Sequence, residues 1–225
     1  METNLLLNSH QIDSLIKQNK GEISLGRLIG PCLSLVAIEL SKIINHPVLI
    51  VSKDSNHAHQ ITKELEWFSN QELPIFNFPD WQTLPYDTFS PHQNIISDRL
   101  RVLTQIPYIK QGIIVISPQS LQGRLPPKSY VKNSTLKLKI DQTINREKLI
   151  STLTELSYLR VPQVMNHGEY AVRGSIFDIF PMGSKEPTRI DFFDEEIESI
   201  RCFDPDTQLS NHKINSIDLL TARET

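Results

Sequence analysis

Two glycines before a predicted helix form the first candidate site, because glycine-rich loops at such places bind phosphate. Gly26 and Gly30 lie just before an apolar segment that begins at Pro31. In the motif GxxxxGK[ST], backbone N–H groups and a lysine bind the phosphates, and a hydroxyl binds Mg²⁺. Pro31 stands where the lysine is needed and also removes a backbone donor. The apolar run ending at Ile116 leads into Ser117 rather than an acidic Mg²⁺ ligand. We therefore predict a degenerate nucleotide loop, no ATP or Mg²⁺ cofactor and no hydrolysis.

Metal chemistry is not predicted. Cys32 and Cys202 belong to no CxxC motif, so neither a zinc module nor a disulfide framework is expected. His57 and His59 are two residues apart on a predicted helix and therefore do not share a face. An acidic cluster is better explained as a charged hairpin tip than as a nuclease metal site; its members are Asp191, Asp194, Glu195, Glu196 and Glu198.

Three arginines in the second half are candidates for protein contact. Arg160, Arg173 and Arg189 lie in or beside short strand-like runs. An arginine in a strand either pairs with a neighbouring carboxylate or presents its planar fork to a partner, and the sequence leaves both interpretations open. Asp191 is a possible partner for Arg189 on a sheet face.

An aromatic loop is the remaining candidate. Trp81, Tyr86 and Phe89 lie in a proline-rich segment that contains no Lys or Arg between residues 78 and 92. Such rings can stack on unpaired bases. Packing against a core is an equally good explanation without basic neighbours.

The elements that position these residues fall into two patterns. In the first half, apolar runs at 47–52 and 112–117 are typical of buried parallel strands. Helical apolar spacing surrounds them at Ile12–Ile16, Pro31–Ile44, Ala58–Phe68 and Ile96–Leu103, with Asp54 and Ser55 as possible N-caps. We predict an α/β domain with a parallel, helicase-like sheet over residues 1–120.

The second half favours a small antiparallel α+β domain. A strand at Leu136–Ile140 and a helix at Arg146–Leu156 precede four β-rich runs at 170–173, 175–180, 189–193 and 197–203. The boundary is expected near Leu125–Pro127, which gives a second domain at 121–206 and a returning segment at 207–225.

Net charge and the lengths of the apolar runs exclude some classes of function. The chain has 225 residues and a net charge of −3, so a uniformly basic nucleic-acid coat is excluded. Residues 119–190 nevertheless carry 11 basic and 6 acidic side chains. No apolar run approaches the length of a membrane span, and the start lacks a signal peptide, so a cytoplasmic location is expected.

Three stretches closely resemble the N-terminal region of bacterial transcription-repair coupling factors. They are Asp80–Asp87 (DWQTLPYD) with Ser90–Leu100 (SPHQNIISDRL), then Gln163–Gly183 (QVMNHGEYAVRGSIFDIFPMG), and Arg189–Ile197 (RIDFFDEEI). The likeness begins at about Leu25. The same stretches are similar, more loosely, to the excision-repair helicase UvrB.

The resemblance implies a recruitment role. It implies that the first domain is like the first helicase domain of UvrB with its nucleotide site lost, and that the second is like the UvrB domain that binds UvrA. Arg173 matches an arginine of the shared "RG" strand used for UvrA contact; Arg160, Phe177, Arg189 and Asp191 lie in or beside the corresponding region. The expected function is non-catalytic binding of UvrA, which brings nucleotide excision repair to stalled RNA polymerase.

Two departures from these families restrict what the resemblance implies. The long aromatic hairpin of UvrB is missing after Tyr86, so damage inspection by this segment is not expected. Motifs for binding RNA polymerase and for translocating on DNA, which the family carries towards its C-terminus, are also not found here. The alternatives are a UvrB-like ATP-dependent helicase subunit and a DNA-binding module that uses the basic middle segment and the Trp81 loop.

Overall fold

A computed structural model describes residues 9–18, 21–26, 28–44, 46–83, 88 and 90–224. The chain divides into two compact units. The first contains the described residues up to Asp80 together with Tyr108–Gly123, and the second contains Trp81–Pro107 and the residues from Arg124 onward. None of the helices in these ranges is long and apolar enough to cross a membrane.

Seven helices and eleven strands are described. The helices are α1 (Ser9–Gln18), α2 (Cys32–Ile43), α3 (Ser55–Phe68), α4 (Gln93–Gln105), α5 (Pro118–Gln122), α6 (Lys128–Asn133) and α7 (Arg146–Glu155). The strands are β1 (Val48–Val51), β2 (Ile75–Phe78), β3 (Ile113–Ile116), β4 (Thr135–Lys139), β5 (Leu159–Arg160), β6 (Glu169–Arg173), β7 (Ile176–Ile179), β8 (Thr188–Phe193), β9 (Glu196–Phe203), β10 (Ser210–Lys213) and β11 (Ser216–Leu220). A short 3-10 turn at Ile106–Tyr108 follows α4.

The first unit is built on a parallel sheet with strand order β1-β3-β2. Its core joins apolar residues of β1 and β3 to those that recur at helical spacing on α2 and α3. Asp54 begins α3 as predicted, because its side chain accepts a hydrogen bond from His57 N at 2.8 Å. The prediction that β1 is covered on both faces is wrong, since Leu49 and Val51 are 56% and 51% exposed.

The second unit contains a six-stranded sheet of order β10-β9-β8-β7-β6-β5. All of its pairings are antiparallel except that of β5 with β6. A separate pair is formed by β11 and β4, so the returning chain runs antiparallel to the strand that opens this part. The mixed α/β class with one parallel sheet and antiparallel sheets is therefore confirmed.

The core of the second unit includes residues from two distant parts of the chain. Ile96 and Leu100 of α4 pack in one cluster with Leu149 and Leu153 of α7 and with the apolar face of the large sheet. The predicted limits 1–120, 121–206 and 207–225 place α4 in the first domain, whereas its buried side chains belong to the second compact unit.

A buried ion pair joins α4 to the end of the described chain. Arg99 donates to Glu224 through Nε at 2.7 Å and a terminal nitrogen at 2.9 Å, and both side chains are almost fully buried. The Trp81 ring lies 4.0 Å from the guanidinium carbon. This bidentate geometry satisfies charges that would otherwise be strongly destabilising in the core.

Candidate functional site

The large sheet of the second unit has two unlike faces, because side chains alternate along each strand. One face carries apolar residues of the main core, among them Tyr170, Val172, Phe177, Ile179 and Ile190. Directly paired residues share a face, so the register places a set of charged and polar residues on the other side. We call this set the arginine face; its members are Arg173, Asp178, Arg189, Asp191, Ser199 and Arg201.

Arg189 is held by Asp178 on the adjacent strand. The two residues are direct partners in the β7–β8 register, and Arg189 donates to both carboxylate oxygens at 2.7 and 3.0 Å. The Asp178 side chain is 3% exposed and that of Arg189 is 18% exposed. The Asp178 hydrogen bonds raise the pKa of Arg189 above its ordinary value. Of the two interpretations for this arginine, pairing with a carboxylate is the one found.

Asp191 has a different partner from the one predicted. It accepts hydrogen bonds from Arg201 and from Ser199 Oγ, the latter at 2.8 Å, and both donors lie on β9. The predicted pair of Arg189 with Asp191 is therefore wrong: each pairs with a residue on an adjacent strand. Neighbouring strands in register bring side chains closer together than the i and i+2 positions of one strand.

Arg173 is the exposed arginine at the end of β6. Its terminal nitrogen donates to the carbonyl of Pro162 at 2.6 Å, and no carboxylate pairs with it among the described residues. The next residue, Gly174, forms the tight turn into β7 with a φ of +60°, and its carbonyl accepts a hydrogen bond from Arg146. The turn that follows Arg173 is thus held by Arg146, while the Arg173 side chain is exposed.

Arg160 and Phe177 do not lie beside Arg173 on this face. Arg160 is exposed on β5, level with Tyr170, so it is three residues, or about 10 Å, from Arg173 along β6. Phe177 is 1% exposed, packs 5.3 Å from the Phe192 ring, and lies on the core face. Its position restricts it to supporting the strand, because a partner cannot reach the ring in this conformation.

One end of the arginine face is covered by the loop between β5 and β6. Val161 and Val164 of this loop pack with Ala171, Phe180 and Phe203. Gln208 ties the loop to the sheet, since its amide nitrogen donates to Val164 O at 3.2 Å and its backbone carbonyl accepts from Arg189 at 3.2 Å. The covered end is thus anchored, and Arg173 lies at the edge of the loop through its bond to Pro162.

Asp178 and Arg201 belong to this face but were not predicted from the sequence. The signal for Asp178 was a single carboxylate within the apolar run Ile176–Ile179, where a buried charge requires a cationic partner. Arg201 had no such signal, because it lies in a strand of mixed character. Its partner follows only from the β8–β9 register.

The glycine loop lies in the first unit. Gly30 has a φ of +58° and forms a turn with Pro31, and α2 begins at Cys32 without a side-chain cap. Gly26 is exposed, and a β-carbon added to it would have no other atom within 4 Å. Three residues separate Gly26 from Gly30, whereas four separate the glycines of the phosphate-binding motif.

The aromatic loop and the acidic cluster are the remaining candidates from the sequence. Trp81 is partly buried against the core of the second unit, as expected for a loop anchor, while Tyr86 and Phe89 lie outside the described residues. Asp194, Glu195 and Glu196 lie at the exposed turn between β8 and β9, where Asp194 has a φ of +55°. The predicted charged hairpin tip is therefore confirmed for these three residues, whereas Asp191 and Glu198 lie within β8 and β9.

A comparison with known protein families matches the part of the chain that carries the arginine face. Residues 136–224, which contain all of the arginine face, match the UvrB interaction domain family. The resemblance to coupling factors is confirmed. The matched residues include the whole six-stranded sheet, all of β11 and β4 from its second residue onward.

Curated relatives of this chain include transcription-repair-coupling factors. That of Escherichia coli (strain K12) is 40% identical over 200 residues, which are 89% of this chain and 17% of the relative. That of Haemophilus influenzae is 42% identical over 200 residues, with the same shares, and that of Staphylococcus aureus (strain Mu50) is 32% identical over 181 residues, 80% of this chain and 15% of the relative. The chain therefore spans less than a fifth of the length of these relatives.

Proposed function

We propose that this chain is a non-catalytic recruitment module of a transcription-repair coupling factor. It binds UvrA through the second domain, residues 121–206, and so brings nucleotide excision repair to stalled RNA polymerase. The match of residues 136–224 to the UvrB interaction domain supports this function. RNA polymerase and DNA are contacted by other parts of the longer protein.

The exposed guanidinium of Arg173 carries the proposal. Arg189 and Arg201 are each paired with a carboxylate, so their charges are largely satisfied within the sheet. Within the part of the chain that the structure describes, Arg173 donates to the Pro162 carbonyl alone and retains donors for a partner. Interface anchors are enriched in arginine on rigid supports, and the fixed turn at Gly174 supplies such a support.

The partner surface that fits is acidic with an apolar rim. Arg160 adds a second exposed positive charge, and Leu159 and Met165 are exposed apolar side chains on β5 and the following loop. Arg189, Asp178 and Asp191 act as positioning residues, because they hold β7, β8 and β9 in register behind the contact.

For the first unit we propose a helicase-like domain that has lost its nucleotide site. The loop Gly26–Pro31 lacks the lysine of the motif and has a shorter glycine spacing. We expect no ATP or Mg²⁺ cofactor for this segment. Saturable ATP binding by the chain, measured by equilibrium dialysis, would contradict this part of the proposal.

Titration of the chain against purified UvrA at moderate salt tests recruitment. Arg173→Ala is expected to raise the Kd by roughly 30-fold or more, since loss of a central anchor typically costs about 2 kcal/mol. Arg173→Lys should recover little affinity, because lysine keeps the charge without the planar fork. Isothermal calorimetry measures the three proteins under one condition.

Arg223→Ala is the matched control, because Arg223 is an exposed arginine of the same unit outside the large sheet. It should leave the affinity unchanged, and thermal unfolding should show that all variants are folded. Equal affinities for Arg173→Ala and the unmodified chain would disprove the anchor. Absence of binding by the unmodified chain would disprove UvrA recruitment itself.

A further inference from the structure

Three potential metal ligands meet at the β9–β10 edge of the large sheet. They are a carboxylate oxygen of Glu186, the Cys202 thiol and a ring nitrogen of His212, and these donor atoms all lie within 4.8 Å of one another. His212 Nε2 is 3.8 Å from Glu186 Oε2. Neither the predicted UvrA contact nor the glycine loop uses any of these residues.

The fold brings the three residues together from separate elements. Cys202 lies on β9 opposite Thr188, and His212 lies on β10 next to Lys213, which is paired with Arg201. The β9–β10 register shifts between Ser210 and Lys213, and with this shift the His212 ring reaches the Cys202 side of the strand pair. Spacing along the sequence gives no metal motif, so this cluster could not be predicted before the fold was known.

Glu186 is held in place by the connection between β7 and β8. Ser184 Oγ donates to the Glu186 carbonyl at 2.8 Å, and the Glu186 backbone N–H donates back to Ser184 Oγ at 3.4 Å. Asn211 donates to Glu186 Oε1 at 3.4 Å. The other carboxylate oxygen, Oε2, faces His212.

The ligand types of the cluster favour a divalent cation. Such an ion binds a thiolate and a carboxylate together and so removes the repulsion that the two negative groups would otherwise exert on each other. Sulfur, imidazole nitrogen and carboxylate oxygen are the three ligand types of protein zinc sites.

The dimensions also fit zinc. Zinc binds sulfur at about 2.3 Å and nitrogen or oxygen at about 2.0–2.2 Å, so the ligand atoms of a tetrahedral site with one sulfur lie roughly 3.3–3.7 Å apart. The His212–Glu186 separation of 3.8 Å is just above that range, and small side-chain rotations of exposed His212 would bring the ligand atoms into it. His212 is at the surface, which gives the ion a path to the buried thiol.

We propose that Glu186, Cys202 and His212 bind one zinc ion, with three protein ligands and an open fourth position for water. The bound ion joins β10 to β9 through His212 and Cys202. All four residues of β10 are exposed, so this edge strand has little apolar packing of its own. The proposal is independent of UvrA binding.

Cobalt substitution tests the site directly. The reduced, metal-free chain is titrated with Co²⁺ and then with Zn²⁺, and one equivalent of Co²⁺ should produce a thiolate-to-metal charge-transfer band together with visible d–d bands. Zn²⁺ should displace the cobalt and raise the Tm of the chain, because an ion that binds only the folded state stabilises it.

Variants identify the ligands. Cys202→Ala should abolish the charge-transfer band, whereas Cys32→Ala, which removes the other free cysteine, should leave it unchanged. His212→Ala should weaken Zn²⁺ binding by at least about tenfold, since even residues that only support metal ligands contribute 10–100-fold. His212 is exposed, so this variant remains folded and keeps the test valid even if Cys202→Ala is unstable.

Three results would overturn the proposal. They are absence of stoichiometric Co²⁺ and Zn²⁺ binding, a band that disappears in Cys32→Ala instead of Cys202→Ala, and an unchanged Zn²⁺ affinity in His212→Ala. In each case the three residues form only an ion pair and a thiol–carboxylate contact at the sheet edge.

Discussion

Asp178 is the residue on which the arginine face depends most. It is nearly completely buried, and its bidentate contact with Arg189 is the reason a carboxylate can lie between Phe177 and Ile179. Breaking a buried pair by removing one partner leaves the other charge uncompensated, which typically costs several kcal/mol.

We expect Asp178→Ala to lower the free energy of unfolding by about 3 kcal/mol. The double variant Asp178→Ala, Arg189→Ala should recover part of the lost free energy of unfolding, because the unpaired guanidinium is then removed as well. Urea unfolding followed by circular dichroism measures both changes.

Asp191→Ala is the control, since it breaks the more exposed pair with Arg201 and should cost only about 1 kcal/mol. Equal losses for Asp178→Ala and Asp191→Ala would show that burial does not distinguish the two pairs.

Residue types could be predicted at the candidate site, but their partners could not. The sequence singled out Arg173, Arg189 and Asp191, and all three lie on one face of the sheet. Their pairing depends on which strand lies alongside which and in what register, and this is a property of the folded sheet. Phe177 shows the same limit, because the alternation of β7 directs it into the core rather than to the surface.

At the level of elements, long and apolar segments were predicted well. The patterns at 112–117, 58–68 and 146–156 correspond to β3, α3 and α7. Four of the described strands were missed, namely β2, β5, β10 and β11. Two of them give little signal in the sequence, because β5 has two exposed residues and β10 reads Ser-Asn-His-Lys. Such edge strands form because a neighbouring strand offers unpaired backbone groups, and their own side chains give no periodic signal.

The entry to β3 depends on a glycine. Gly112 has a φ of +147°, and an added β-carbon would lie 2.7 Å from the carbonyl oxygen of Pro74. That carbonyl accepts the hydrogen bond of Ile113 N, which aligns β2 with β3. A side chain at this position would therefore disturb both the backbone conformation and the strand pairing.

Gly112→Ala should destabilise the first unit by roughly 1–3 kcal/mol through backbone strain alone, with the clash adding to it. Thermal unfolding followed by circular dichroism measures the change. Gly26→Ala is the matched variant, since open space surrounds that position, and its Tm should stay within about a degree of the unmodified chain. A similar Tm for the two variants would contradict the role assigned to Gly112.

At the level of the whole molecule, stability is expected to depend on pH through His167. Burial lowers the pKa of this imidazole, while the Ser184 carbonyl and Asp98 oppose the shift. Its ring nitrogens lie 2.9 Å from Asn94 Oδ1 and 2.8 Å from Ser184 O, and the ring packs on Phe180. The unfolded chain therefore takes up a proton at a higher pH than the folded chain does.

The free energy of unfolding should consequently decrease as the pH falls through about 6.5, the ordinary histidine value. His167→Gln should lower stability at neutral pH and flatten this decrease. His59→Gln, at an exposed position, is the control and should leave the decrease in the free energy of unfolding with falling pH as it is in the unmodified chain. An identical slope for His167→Gln and the unmodified chain, measured by urea unfolding at several pH values, would exclude His167 as the cause.

The buried pair of Arg99 with Glu224 has a consequence for dissecting the protein. The chain enters the second unit at Trp81, leaves it after Pro107 and returns at Arg124, so each unit is assembled from two separate stretches. A recombinant fragment restricted to residues 136–224 would contain Glu224 but not Arg99, and it would also lack Ile96 and Leu100 from its core. Fragment boundaries for biochemical work should therefore include Trp81–Pro107, and a limited-proteolysis fragment that lacks α4 should lose the cooperative unfolding of the intact unit.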